Sequence, residues 1–212
     1  MFAVRMATMM LALLSTGLVA GVFFAYAISV MPALARTSDR TLIEVMQKVN
    51  IVIINPWFMF AFMGTVGFTA LAAVLHLGKD QRSTLIWIGI AVALSVIAFA
   101  VTAALNVPLN EALDAAGDPA SIVDTAAVRA DYEAAWVRWN LARTVLTTAA
   151  FLVLCAAMFV AGVQHGKSAE ATAGQAFSQT SAQQGGPVAG QQFSQQSAAL
   201  SLGTPYGAQQ RR

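Results

Sequence analysis

Cysteine and histidine are scarce in this chain, and each shortage argues against a class of site. The 212 residues contain one cysteine, Cys155, and two histidines, His76 and His165. A single thiol cannot form an intramolecular disulfide or a CxxC redox site. Neither histidine has a glutamate or a second histidine at metal-ligand spacing, and the apolar runs contain no HExxH or clustered-carboxylate pattern. We therefore predict no metal site and no cofactor.

Charge is also scarce and is unevenly distributed. Only 10% of the residues are charged, against about 25% in a typical soluble domain, and the mean hydropathy is +0.65. The charge-free intervals are residues 6–35, 49–78, 83–110 and 144–166. Each is longer than the roughly 20 apolar residues that cross a bilayer as a helix. We predict an all-α bundle of four transmembrane helices, with the lipid bilayer as its partner.

The few basic residues flank these intervals and form no cluster. The formal net charge is only +2, so the sequence does not indicate a nucleic-acid partner. An even number of spans places both termini on one side of the membrane. A count of Lys and Arg alone favours the loops as the cytoplasmic side, but Arg138 and Arg143 belong to the candidate site described below, and the long third loop counts less. We predict a multi-pass protein of the cell membrane with both termini in the cytoplasm.

The first half of the chain predicts two membrane helices separated by an amphipathic one. In the first, residues 7–33, the residues Gly17, Gly21 and Ala25 share one face. Small residues there let a neighbouring helix approach closely, although glycine is common in membrane helices in general. Residues 37–54 place Leu42, Met46, Val49 and Ile53 at helical spacing. We predict that this helix lies on the membrane or covers one end of the bundle.

Asparagine and proline punctuate the remaining helices. Asn55 and Pro56 predict the start of the second membrane helix, because asparagine suits the cap and proline the first turn. This helix covers residues 56–77, the third covers 84–105, and a loop or broken helix follows over 106–119. Asp118 and Pro119 predict the start of a last helix that extends beyond the membrane and runs without a breaker to residue 162.

The end of the chain differs in composition from the rest. Residues 168–212 are rich in Gln, Ser, Ala and Gly and contain two similar segments, residues 175–179 and 191–195. Such a segment buries too little apolar area to offset its chain entropy, so we predict a disordered tail after a bundle domain of residues 1–167. The phenylalanine in each similar segment is either a weak contact point or a product of drift in a low-complexity sequence.

Polar and aromatic residues gather around the third loop. Trp136, Asn140 and Arg143 have i, i+4, i+7 spacing and share a helix face, and the loop returns the chain to the membrane surface where the third helix ends. Amide and guanidinium groups donate hydrogen bonds to a carbonyl or phenolate oxygen, and tryptophan offers a flat face to an aromatic ring. The candidate site residues are Asn55, Trp57, Asn106, Asn110, Trp136, Trp139, Asn140 and Arg143.

The same residues also have a purely structural interpretation. Asn106 is suited to cap a helix, Arg138 and Arg143 can extend to the membrane surface, and Trp136 and Trp139 fit an interfacial aromatic belt. Spacing alone does not decide between this interpretation and a binding site.

Several segments, in order, resemble one family of small membrane proteins. They are Gly21–Tyr26 with Met31–Leu34, Asn55–Met59 with Gly64-Thr65, Asn106–Asn110, and Trp136–Asn140 with Arg143. Together they resemble the DUF1772, or anthrone oxygenase-like, family over about residues 8–165. The resemblance implies a four-helix integral membrane protein whose fungal relatives oxidise anthrones to anthraquinones with molecular oxygen, without a recognised metal or flavin. Leu141 stands where such sequences often have histidine, which removes a possible proton-transfer group.

Three hypotheses for function follow. In the first, the protein is a cofactor-independent oxygenase of a polycyclic phenol: Asn106, Asn110, Asn140 and Arg143 stabilise the substrate anion, Trp136 stacks on its ring, and Trp139, Asn55 and Trp57 complete the binding site. In the second, the bundle binds a quinone or lipid, or joins a partner complex through its tail, without turnover. In the third, it transports a small solute, although the sequence shows no inverted repeat or intramembrane carboxylate.

Overall fold

The computed structural model describes residues 1–184, and in this part of the chain all regular structure is helical. The chain divides into two compact units, residues 1–162 and 163–212. Four helical segments are long and apolar enough to cross a membrane: Phe2–Leu34, Pro56–Leu75, Lys79–Ala115 and Thr125–Ser181. The predicted all-α fold with four membrane-spanning helices is confirmed.

Two of these segments contain a π-helical turn just before a proline. Helix α1 (Phe2–Ala25) continues through the π-helical turn Tyr26–Val30 into α2 (Met31–Leu34), which contains Pro32. A proline inside an α-helix removes one hydrogen bond and clashes with the carbonyl four residues earlier. A wider π-helical turn relieves this crowding while the segment stays helical, and such turns are frequent at functional sites.

The same arrangement recurs where a loop or broken helix was predicted. Helix α5 (Arg82–Val101) continues through the π-helical turn Thr102–Asn106 into α6 (Val107–Ala115), which contains Pro108. Of the two predicted alternatives for residues 106–119, the first ten residues follow the broken helix and not the loop, because proline near the start of α6 is compatible with a helical path interrupted by a π-helical turn. The chain does turn at Gly117, whose φ of 83° favours glycine.

The amphipathic segment forms α3 (Asp39–Val52) and covers one end of the bundle. The hydroxyl of Ser38 accepts a hydrogen bond from the Thr41 amide at 3.2 Å and caps the helix. A buried cluster joins α3 to the neighbouring helices, and its members are Met31, Leu34, Leu42, Ile43, Met46, Leu113, Tyr132 and Trp136. Of the two predicted positions for this helix, on the membrane or across one end of the bundle, the structure shows the second.

Arg129 also holds α3 in place. Its guanidinium donates to the carboxylate of Asp39 at 2.9 Å and to the carbonyls of Ala35 and Thr37 at 3.1 and 3.0 Å. These bonds join the last helix to the connection between α2 and α3.

Helix α4 (Pro56–Leu75) begins as predicted. The Asn55 side chain accepts hydrogen bonds from the amides of Trp57 and Phe58, both at 3.1 Å, and Pro56 occupies the first turn. The last helix, α7 (Thr125–Gln184), begins later than predicted. Asp118 accepts from the Ala120 amide in a turn, and Asp124 makes the bond into the first turn of α7. Two aspartates precede the helix, and the sequence does not distinguish the capping one.

Small side chains pack the four long helices together. One layer contains Met9, Ala72, Ile88, Ala157 and Ala161, and the next contains Ala12, Ala91 and Leu154. Between α1 and α4, a Cβ atom at Gly64 would lie 2.6 Å from the Ser15 hydroxyl. Gly17 likewise faces the ring of Phe151, whereas Gly21 has nothing near it. Of the two glycines of α1, only Gly17 therefore has a neighbouring helix close to it, as predicted, and Gly64 of α4 is a second such position.

In the second unit, the described residues are helical. Residues 165–181 are helical and exposed throughout. The predicted disordered tail thus has its first residues in the described helix, and its remainder, with the second phenylalanine-containing segment, lies outside the described residues.

Candidate functional site

A cavity of about 260 Å³ lies inside the first unit, next to the cluster that α3 closes. Side chains of α1, α3, α4, α6 and α7, of the α3–α4 connection and of both π-helical turns contribute to its wall, which is almost entirely apolar. The lining residues are Val22, Phe23, Tyr26, Val49, Asn50, Ile53, Ile54, Phe58, Met59, Phe62, Thr102, Val107, Asn110, Trp136, Asn140 and Arg143. Four of the eight predicted site residues are therefore in one wall.

Arg143 is the charged group of this cavity. It is only 6% exposed, and its guanidinium lies over two aromatic rings, 4.2 Å from the centre of Phe23 and 5.5 Å from that of Trp136. It donates one hydrogen bond, to the Asn140 side-chain oxygen at 3.0 Å, and its Nε atom is buried without a partner. The ion pairs among residues 1–184 do not include Arg143. The cavity therefore contains a cation with unused hydrogen-bonding capacity.

Asn140 determines where the guanidinium points. Its amide nitrogen donates to the Phe23 carbonyl at 3.0 Å, which leaves the side-chain oxygen facing Arg143. Asn140 is 1% exposed, so the arrangement is shielded from water. Because a carbonyl of α1 holds this amide, the contact between α1 and α7 also sets the position of the cation.

Asn110 holds two aromatic side chains of α7, of which Trp136 lines the cavity. Its side-chain oxygen accepts hydrogen bonds from the Trp136 indole at 2.9 Å and from the Tyr132 hydroxyl at 3.1 Å. Both rings are buried, and their centres are 6.3 Å apart. The π-helical turn and α6 carry Asn110 to this position, so the fold brings the two ends of the third loop together as predicted.

Asn106 lies behind the wall. It is fully buried, and its amide nitrogen donates to the Trp136 carbonyl at 3.4 Å. Its side-chain oxygen has no partner, but the residue does not line the cavity. It contacts the backbone that carries Trp136.

The structure places the other three predicted residues away from the cavity. Asn55 caps α4, and Trp57 is 85% exposed on the outer surface. Trp139 is half-buried and lies under the guanidinium of Arg138, with 5.1 Å from its carbon atom to the ring centre. Trp139 does not line the cavity, although it is adjacent to Asn140 in the sequence.

Sequence reasoning missed three lining residues with relevant chemistry. They are Phe23, whose ring carries the guanidinium, and Tyr26 and Asn50, which add polar atoms to the wall. Phenylalanine gives no signal in an apolar helix. Tyr26 and Asn50 are polar residues among apolar neighbours in their helices, and this pattern could have identified them from the sequence.

Comparison with known proteins gives a family match. The family model described as Anthrone oxygenase matches residues 57–153. This segment runs from the start of α4 into α7 and contains Asn110, Trp136, Asn140 and Arg143. Neither the curated proteins nor the solved structures gave a match. The family match agrees with the resemblance found in the sequence over this segment. The four apolar helices indicate a multi-pass membrane protein.

Proposed function

We propose that this protein is a membrane oxygenase that binds a compact polycyclic phenol or anthrone in the cavity and oxidises it with molecular oxygen, without a resident cofactor. The observation that carries the proposal is the Arg143 guanidinium, which is buried in an aromatic-lined cavity and has no carboxylate partner among residues 1–184. The family match over residues 57–153 supports the same reaction class.

The first argument concerns the charge. Removing a cation from water costs several kcal/mol, and proteins usually compensate with a paired anion. Asn140 provides a neutral acceptor, which compensates only in part. A ligand that carries or develops negative charge would complete the pairing, so Arg143 suits a phenolate or enolate oxygen.

The second argument concerns shape and polarity. Ligand pockets of about 300–1,000 Å³ are typical for drug-sized molecules, so a cavity of about 260 Å³ suits a small, compact ring system. Trp136, Phe58 and Phe62 supply aromatic surface for stacking or edge contacts. The indole is held by Asn110, so its orientation is set before a ligand binds.

The chemistry follows from an anion beside this cation. Loss of a proton from the anthrone CH2 group gives an enolate, whose oxygen Arg143 stabilises. The enolate transfers one electron to O2, and the resulting pair of radicals combines to form a carbon–oxygen bond. Protonation of the peroxide, O–O cleavage and loss of the remaining C–H proton yield the ketone and water. One CH2 group and one O2 thus become one C=O group and one H2O, and the substrate supplies all the electrons.

In this proposal the protein promotes the reaction by making the bound substrate more acidic. The cavity lining contains no Asp, Glu or His among the described residues, and Leu141, where relatives often have histidine, is exposed. Stabilisation of the enolate by Arg143 lowers the pKa of the bound carbon acid. The proton then passes to water, so turnover is expected to increase with pH.

The test is an assay of the purified protein with anthrone under oxygen. We expect equal amounts of O2 consumed and anthraquinone formed, faster than the spontaneous reaction. Arg143→Met should lower kcat by about 100-fold or more, the usual effect of losing one oxyanion donor. Arg138→Met is the matched control, because Arg138 is exposed outside the cavity. A wild-type rate no faster than the spontaneous one, or equal rates in Arg143→Met and wild type, would refute the proposal.

A second candidate function is binding of a quinone without turnover. It is favoured by the lack of a histidine or carboxylate in the described lining, since a quinone carbonyl needs only a donor such as Arg143. Stoichiometric binding of anthraquinone, abolished in Arg143→Met, together with no oxygen consumption in the presence of anthrone, would favour this function over the oxygenase.

A further inference from the structure

A groove between α3 and α6 lies next to the cavity and shares part of its wall. The groove has a volume of about 500 Å³ and shares the residues Asn50, Ile54, Val107 and Asn110 with the cavity lining. Its other lining residues are Gln47, Ile51, Glu111 and Asp114. The charged residue in the described cavity lining is a cation, whereas the groove carries two carboxylates.

We propose that this groove is the entrance to the cavity and that Glu111 and Asp114 exclude ligands that arrive as anions. The site then accepts neutral polycyclic compounds and rejects their carboxylated or sulfonated analogues. The inference rests on the proposed function in assuming an aromatic ligand in the cavity, but it does not require that the ligand be oxidised.

The two carboxylates present uncompensated charge to the groove. Glu111 and Asp114 are three residues apart in α6, so they lie on one side of the helix, and both are exposed. Neither belongs to an ion pair in residues 1–184. An anion that passes them is repelled, and repulsion between like charges strengthens where the protein displaces water.

The nearby hydrogen-bond donor does not offset this repulsion. The amide nitrogen of Gln47 donates to the carbonyls of Leu113 and Gly117, at 2.9 and 3.0 Å. These bonds hold α3 against α6, so they shape the groove and leave the amide engaged. The neighbouring Lys48 pairs with Glu44. An anion therefore meets two carboxylates before it reaches Arg143.

The opposite wall suits an apolar ligand. Ile51 and Ile54 line the groove and are 67% and 71% exposed. A hydrophobic compound dissolved in the bilayer would contact apolar side chains from the surface to the cavity. The substrate thus enters as a neutral molecule and becomes an anion only beside Arg143. Compounds that are already anionic in solution are kept from binding to Arg143.

The experiment compares two ligands of the same ring system, anthraquinone and anthraquinone-2-sulfonate. Binding to the full-length protein in nanodiscs of zwitterionic lipid is followed by quenching of tryptophan fluorescence, with correction for partition into lipid. We expect wild type to bind anthraquinone at least about tenfold more tightly. The double variant Glu111→Gln/Asp114→Asn should tighten sulfonate binding about tenfold and leave anthraquinone binding unchanged. High salt should narrow the difference in wild type.

The matched control is Asp80→Asn/Asp131→Asn, which removes two exposed carboxylates outside the groove that form no ion pair among residues 1–184, and should leave the preference unchanged. Equal binding of both ligands by wild type, an unchanged preference in the groove variant, or no binding of either ligand would overturn the inference. The two proposals can fail independently. Selective binding of anthraquinone without quinone formation from anthrone would refute the oxygenase activity and support the exclusion of anionic ligands by the groove.

Discussion

Replacing Arg143 by methionine tests whether the guanidinium serves ligand binding or the fold. The side chain makes one charged hydrogen bond, to Asn140, worth about 1.5–3 kcal/mol. Its contact with the Phe23 ring adds about 0.5–2 kcal/mol. Against these gains stands the desolvation of a cation that is 6% exposed, which costs several kcal/mol. The favourable and unfavourable contributions are therefore of similar size.

Methionine keeps an unbranched apolar side chain of similar volume and removes the charge. Replacing buried ionic groups by apolar side chains of similar volume is often neutral or stabilising by about 1–4 kcal/mol. One kcal/mol corresponds to about 2–4 °C in a protein of this size. We expect the apparent Tm of Arg143→Met to equal that of wild type or to exceed it by up to about 10 °C, while ligand binding and turnover are lost.

The assay is thermal unfolding in detergent, followed by the fluorescence of the buried tryptophan and by size-exclusion recovery after heating. Arg138→Met provides the baseline for a surface arginine. A Tm at least 5 °C below that of this control would show that the fold depends on Arg143 and would refute the reasoning. An interfacial anchor, the structural interpretation of this residue, predicts that outcome.

Three further substitutions test the packing around the cavity. Gly64→Ala should lower the free energy of unfolding by about 1–3 kcal/mol through overpacking, and the apparent Tm with it, because the new Cβ would lie 2.6 Å from the Ser15 hydroxyl. The control Gly67→Ala, whose Cβ would have nothing within 4 Å, should leave the Tm unchanged. Adding Ser15→Ala should restore part of the loss. Asn110→Leu leaves the Tyr132 hydroxyl and the Trp136 indole without their acceptor, which should lower the free energy of unfolding by about 1–3 kcal/mol for each donor. The near-ultraviolet circular dichroism of the two rings should change, and a spectrum equal to that of wild type would contradict this role. Arg129→Met removes the bonds to the α2–α3 connection and should increase proteolysis there; unchanged cleavage would contradict it.

The membrane helices were predictable because burial in lipid leaves a strong compositional signal. Long charge-free intervals reveal the spans, and the cap at Asn55 is a local feature that needs no tertiary contact. The path past Pro108 was not predictable, because a proline followed by helical residues is compatible with both a loop and a π-helical turn. The choice of Asp124 over Asp118 as the cap depends on the turn at residues 119–121, which competes for the first aspartate.

The site was predictable as far as it lies on one helix. Trp136, Asn140 and Arg143 share a face of α7 by spacing alone, and the structure places all three in the cavity wall. Contacts between helices depend on their rotation and relative height, which no local pattern in a uniformly apolar sequence records. The ring of Phe23 under the guanidinium and the outward position of Trp57 are of this kind.

The way in which Arg143 is held bears on the kind of reaction the cavity can support. A guanidinium that two rings and one amide oxygen hold in place needs no rearrangement when negative charge develops beside it, and such preorganised groups stabilise transition states most effectively. The same group has no means of removing a proton, and the described lining contains no Asp, Glu or His to do so. Substrates should therefore be limited by their own acidity: compounds whose enolate is spread over several rings react, and less acidic ketones of the same size bind without turnover. A series of ring ketones of graded acidity, compared in wild type at one pH, should give a log kcat that falls as the substrate pKa rises. A kcat independent of substrate acidity would require a proton acceptor outside the described lining.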